Sequence, residues 1–161
     1  MNMYLLPLLL LQSAATPPPE RGTALPPPGT EEAAVMAPID RMLGALATHD
    51  APTILAQAAR PEAAATGVVI APDGTSTTRR RTFAEFAAMV AKSTDRVEER
   101  QFRPAIEIDG DMAMVWAPYI FLIDGKRNHC GTNHYSLTRA EGRWRIESVT
   151  WTQRTTECPE P

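Results

Sequence analysis

The stretch 108-IDGDMAMVWAPYIFLIDGK-126 decides the fold: it is an aromatic and aliphatic run held between two Asp-Gly pairs, Asp109-Gly110 and Asp124-Gly125. Asp-Gly readily supplies the positive φ angles of a tight hairpin turn, because Gly has no Cβ to clash. The two pairs therefore mark the ends of one long central strand. Asp73-Gly74 and Glu141-Gly142 punctuate the chain before and after it. The runs between the last three pairs exceed twice the usual strand length of about 5–6 residues, so the strands must coil into a strongly curved antiparallel sheet.

A two-residue turn at Asp109-Gly110 sets Phe102, Pro104 and Ile106 on one face with Ala113, Val115, Ala117, Tyr119 and Phe121. Arg100 then joins the Tyr119 face. Glu99 falls on the opposite face with Met112, Met114, Trp116, Ile120 and Leu122. Both faces are apolar, unlike a strand with one wet side. One face takes the helices; the other needs a cover, for which a second copy of the chain is the simplest candidate. In the last hairpin, a four-residue turn Arg139–Gly142 sets Tyr135 and Leu137 opposite Ile146 and Trp144. Parity at Asp124-Gly125 stays open: a strict two-residue turn puts Tyr135 on the Trp116 face, whereas a longer turn or a bulge near Gly131 puts it on the Tyr119 face.

Upstream, three helices are expected. Val35, Ile39, Met42, Leu43 and Leu46 recur at helical spacing, with Pro38 starting or kinking the regular part. Asp50 caps a second helix over 51–59, and Thr82-Phe83-Ala84-Glu85 is a capping-box pattern for a third.

The first thirty residues read differently. Residues 1–15 are apolar, then small, and end in a shape that fits signal peptidase cleavage after Ala15; the apolar run is shorter than the roughly 20 residues that span a bilayer. Residues 16–30 hold six of the 15 prolines and read as an extended linker. The folded domain is expected over 31–158, with a tail at 159–161. Its location is then periplasmic or secreted. Net charge −3 speaks against a phosphate-backbone binder. The basic triplet Arg79-Arg80-Arg81 reads as a solvated strand edge. In an exported chain Cys130 and Cys158 are most simply one disulfide, a buried free thiol at Cys130 being the alternative. The pattern implies no metal and no cofactor.

Glu99-Arg100, Pro104, the 108–126 stretch, 129-HCG-131, Tyr135-x-Leu137, 142-GRWRI-146 and Cys158 together resemble the nuclear transport factor 2-like superfamily, in particular exported bacterial members of the SnoaL-like or lumazine-binding type. The resemblance covers about 35–158. It implies a cystatin-like α+β cone, a curved sheet wrapped around three helices, with a cavity at one end and frequent dimerisation through the outer face. It implies no single activity, since the superfamily holds isomerases, dehydratases, epoxide hydrolases, cyclases and members that only bind.

Enzymes on this fold hold a carboxylate or an Asp–His pair deep in the cone. Asp109, Asp111 and Asp124 lie in turns, Asp50 reads as a cap, and Asp40 is the acid on the first helix that could reach a cavity. His129 is the candidate for proton transfer, with Asn133 and Tyr119 beside it if its face turns inward. Asn133 cannot itself act as a base. Arg100, Phe102, Tyr119, Phe121, Asn133, Tyr135 and Trp144 complete the expected ligand-binding set. The first reading is a homodimeric domain that binds a small, largely apolar ligand without an established reaction. An isomerase, dehydratase or cyclase using His129 is the second, and an interaction module whose cavity is filled by its own side chains is the third.

Overall fold

The computed structural model describes residues 30–159. The expected leader at 1–15, all but the last residue of the linker, and the final two residues of the tail lie outside the described residues. The chain runs α1 (Glu31–Ala47), α2 (Ala51–Gln57), β1 (Ala64–Ile70), β2 (Ser76–Thr82), α3 (Phe83–Val90), β3 (Val97–Gln101), β4 (Ala105–Asp109), β5 (Met112–Ile123), β6 (Lys126–Ala140) and β7 (Arg143–Gln153).

Local chemistry starts each helix by satisfying the orphan N–H groups of its first turn. Thr30 Oγ1 accepts from the Ala33 N–H at 3.2 Å, and Asp50 accepts from the Thr53 N–H at 3.0 Å. Thr82 and Glu85 form the reciprocal capping box ahead of α3. Pro38 lies inside α1, not at its start. Val35, Ile39 and Ile54 are fully buried, as are Phe83 of α3 and Val115, Leu137 and Ile146 of the sheet they pack against. This single apolar layer between helices and sheet is the core.

The seven strands lie in the order β2-β1-β7-β6-β5-β3, with β4 also paired to β5. The meander β4-β5-β6-β7 is antiparallel throughout. The sheet as a whole is mixed, because β1 runs parallel to β7. The cause is local: as the chain leaves α2, Ala58 bridges Ile146 in parallel and the Ala59 N–H donates to Ile146 O at 2.9 Å. It therefore enters the sheet already aligned with β7. Arg79 and Arg80 are exposed and Arg81 is half-buried on the edge strand β2.

Three registers differ from the sequence reading and a fourth closes the parity it left open at Asp124-Gly125; two of the four decide the site. Asp109 pairs with Met112, so Gly110 and Asp111 form the loop; the parity of β4 is unchanged. Between β4 and β3, however, Arg103 takes φ +49° just before Pro104, which has no N–H to give the ladder. One residue is absorbed there, and β3 resumes with Glu99 opposite Phe121 and Arg100 opposite Ile120. The faces of Glu99 and Arg100 are thus the reverse of those expected. At the next hairpin Asp124 (φ +51°) and Gly125 (φ +75°) do form a two-residue turn, and a bulge follows at Asn128: Leu122 pairs with Arg127, but Phe121 with His129. The bulge turns His129, Asn133 and Tyr135 onto the Tyr119 face. In the last hairpin Glu141 and Gly142 form a two-residue turn, not a four-residue one, and a bulge at Glu147 brings Tyr135 opposite Val149.

On the outer face, Ile120, Leu122 and Cys130 form a small cluster with Phe102 and Cys158. Cys130 and Cys158 are joined in a disulfide, Cα atoms 5.6 Å apart, so the free-thiol alternative falls. Cys130 and Arg154 exchange backbone hydrogen bonds at 2.9 Å each. The chain's own C-terminal segment, rather than a second copy, covers this part of the face. Met112 and Trp116 remain exposed.

Candidate functional site

A cavity of about 330 Å³ lies between the helices and the inner face of the sheet. A cone filled by its own side chains is therefore excluded. Met42 and Leu46 of α1 with Phe86, Met89 and Val90 of α3 make one wall. The other is built from alternate residues of β3, β5, β6 and β7, because side chains two apart share a face.

Tyr119, Phe121, His129, Asn133 and Tyr135 all reach this wall. The His129 ring stacks on Phe121, with centroids 4.6 Å apart and planes at 15°, and meets the edge of Tyr119 at 5.8 Å. Across the cavity Phe86 and Trp151 are 6.0 Å apart. The remaining expected residues are elsewhere. Arg100 is exposed on the outer face and ion-paired with Glu98 at 2.6 Å. Phe102 packs on the outer cluster beside the disulfide, because the break at Arg103 turns it outward. Trp144 is buried in the core near the β6–β7 turn, with the Arg139 guanidinium 5.0 Å above its ring. Asp40 is exposed on α1 and lines no part of the cavity, and Asp50 is the helix cap.

The acid that enters the cavity from the sheet is Glu99. Its Oε1 accepts from Asn133 Nδ2 at 2.7 Å and from Gln101 Nε2 at 3.4 Å. Gln101 Nε2 also donates to the Tyr135 hydroxyl oxygen at 2.7 Å. Glu99 Oε2 takes no hydrogen bond from the described residues. Burial pushes the carboxyl up to about 7, against the opposing pull of its two amide donors. A group poised there changes charge around neutral pH, the property a proton-transfer site needs. Burial also raises the Tyr119 and Tyr135 phenols, so both stay neutral hydroxyls.

His129 is displaced the other way. Burial lowers it to about 4, so the ring is neutral at pH 7. Its Nδ1 lies 2.9 Å from Asn128 Oδ1, an acceptor, which holds the ring proton on Nδ1 and leaves Nε2 as an acceptor. A neutral, stacked imidazole is a poor general acid. Its placement suits a wall better than a proton relay.

Glu99 escaped sequence reasoning because one strand was run straight through Phe102-Arg103-Pro104. The signal was present: a Pro inside a strand pattern marks an interruption of the ladder, and an interruption of one residue reverses every face beyond it. Trp151, Phe86 and the α1 residues had no comparable signal, since their roles depend on how far the helices stand from the sheet.

Tyr119 has a second, structural duty. Its hydroxyl donates to the Thr152 carbonyl at 2.8 Å, passing over β6 at Gly131. A Cβ on Gly131 would lie 1.8 Å from Thr152 O and 2.9 Å from the Tyr119 ring. The 129-HCG-131 motif thus places a wall residue, a disulfide half and an obligatory gap in succession. Among the described residues no group of three or more His, Cys, Asp or Glu is placed to hold a metal ion.

The family model described as SnoaL-like domain matches residues 35–150. No curated protein matches the sequence. Among solved structures, a protein of unknown function with a cystatin-like fold from Nostoc punctiforme is similar at TM-score 0.59 and 14% identity, over 80% of this chain and 94% of that one. A substituted variant of a Mycobacterium tuberculosis protein of unknown function is similar at TM-score 0.60 and 16% identity, over 76% and 71%. A nuclear transport factor 2-like protein of unknown function from Shewanella baltica gives 0.57 and 14%, over 78% and 95%. At such identities the likeness is one of fold alone.

Proposed function

The chain belongs to the SnoaL-like domain family, and from that premise we propose that it binds one small, largely apolar molecule in the cavity between its helices and its sheet. The observation that carries this reading is the cavity itself: about 330 Å³, walled by aromatic and aliphatic side chains and interrupted by few polar groups. The neutral fluorophore prodan serves as a probe. Wild-type protein is expected to bind it one-to-one with a blue-shifted emission, and Val90→Trp, which places an indole in the cavity, is expected to weaken binding at least ~10-fold while still melting cooperatively. Equal binding by the two proteins, or none by the wild type, would sink the reading.

Export belongs to the same proposal. The apolar 1–15 segment and the Cys130–Cys158 disulfide support a periplasmic or secreted location. Among the described residues no helix is long and apolar enough to cross a membrane. Exposed Met112 and Trp116 support pairing of two copies through the outer face, and the acidic balance speaks against nucleic acid.

One observation favours a second reading, an enzyme of isomerase, dehydratase or cyclase type. The carboxyl of Glu99, pushed up to about 7 and open at Oε2, is better suited to be its base than His129. If a molecule recovered from the native protein is turned over, the pH–rate profile should break near 7 and Glu99→Gln should remove at least ~100-fold of the rate, whereas His129→Gln should remove far less. A rate that follows His129 and ignores Glu99 would refute that assignment.

A further inference from the structure

Among the described residues that line the cavity there are two acids, Asp95 and Glu99, and no Lys or Arg. Four carboxylates have guanidinium partners: Glu98 pairs with Arg100, Glu147 with Arg60, and Asp111 and Glu31 with Arg139; the helix-cap and turn acids Asp50, Asp73 and Glu85 are instead hydrogen-bonded to Thr. Glu99 has only the amides of Asn133 and Gln101. Arg154 acts on the Tyr119 hydroxyl and is not among the residues that line the cavity. Glu99 is half-buried, a carboxylate drawn partly out of water without a counter-charge is costly, and the described residues that line the cavity supply none.

We infer that the missing counter-charge belongs to the ligand: the cavity takes an organic cation, an amine whose ammonium group meets Glu99 and whose apolar body lies on the aromatic wall. The inference rests on the cavity being a ligand site and names the class of that ligand. Oε2 of Glu99 is free to accept the ammonium. Phe121 stands directly opposite Glu99 on the neighbouring strand, and Tyr119, Tyr135 and Trp151 present further rings around the same space. Ring faces attract a cation most strongly where water is excluded. Burial keeps the stacked His129 neutral, so it does not repel the ammonium. Asp95 is exposed and lines the same cavity, adding a second negative charge to its field. An anionic ligand would meet both acids with no cation to offset them.

The test uses three probes on one ring system, 1-naphthylmethylamine, 1-naphthylmethanol and 1-naphthoic acid, titrated calorimetrically into the full chain. Above the titration of Glu99, at about pH 8, the amine should bind at least ~10-fold more tightly than the alcohol, and the acid should not bind measurably. At about pH 5.5, where Glu99 is protonated, the amine's advantage should shrink by a similar factor. The titratable groups facing Glu99 are the Tyr119 and Tyr135 phenols and the His129 ring, which keep one charge state over this range, while His49 and Asp95 line the same cavity. Glu99→Gln isolates the carboxyl from them: in that variant the preference for amine over alcohol should vanish at both pH values. An alcohol that binds as tightly as the amine, or an acid that binds more tightly, overturns the cation and leaves the cavity reading standing. Failure of all three probes overturns both.

Discussion

Gly131→Ala is expected to destabilise the fold by about 4 kcal/mol or more, enough to lower the melting temperature by roughly 10 °C. The added methyl would lie 1.8 Å from the Thr152 carbonyl oxygen and 2.7 Å from its carbon, and these are backbone atoms of the neighbouring strand. They can retreat only if β6 and β7 separate where Thr132 N and Cys130 N are bonded to β7 and its extension. The Tyr119 hydroxyl would lose its acceptor as well. Gly67→Ala is the internal control. Its Cβ meets the Trp151 ring at 3.0 Å, and a side chain can turn aside, so a loss of only about 1 kcal/mol is expected. Equal losses at the two sites in thermal or urea unfolding would show that Tyr119 does not lie across β6 as described.

Glu99→Gln is expected to do the opposite of an ordinary core polar change and raise stability at alkaline pH. The carboxyl moves from 4.5 in the unfolded chain to about 7 in the fold. Folding therefore favours the protonated form. Its full contribution is present below 4.5 and is lost as pH rises through about 7, a loss on the order of 3 kcal/mol. The amide cannot ionise, so the difference between variant and wild type should open across that window and stay open at about pH 8. His129 acts in the reverse sense: lowered from 6.5 to about 4, it makes the fold gain stability as pH rises between those values. The two slopes oppose each other in the wild type, and the Gln variant should remove the Glu99 slope and leave the rise to which His129 contributes. The measurement is urea unfolding of both proteins from about pH 4 to 8. Parallel curves throughout would mean that Glu99 is solvated and that no acid is held in the cavity. A residue whose charge weakens the fold is kept for something other than the fold, which is why the same carboxyl anchors the ligand proposals.

The elements were largely legible. Caps at Asp50 and Thr82, the apolar stripe of α1 and the Asp-Gly and Glu-Gly turns act through neighbours a few residues away, so the chain declares them locally. The disulfide was the simplest reading of two cysteines in a chain expected to be exported, and the fold brings them together from 28 residues apart. The site was legible only where parity survived. His129, Asn133 and Tyr135 join Tyr119 and Phe121 in the cavity because the Asn128 bulge reverses the face of β6. That outcome was one of two the sequence left open. Arg100, Phe102 and Glu99 were assigned to the wrong faces because one residue, Arg103, steps out of the ladder.

From its sequence alone this protein has its helices, its hairpins, its family and the aromatic character of its central strand. Short-range forces determine these: capping hydrogen bonds, the freedom of Gly at turns, and hydrophobic period. The tertiary structure decides which acid of the sheet faces inward and that no Lys or Arg among the described residues lines the cavity beside it. Strand parity is a global quantity, summed over every bulge between two residues, and a single unpaired residue reverses it. Burial then sets the charge of Glu99, and burial exists only once helices and sheet have closed over it.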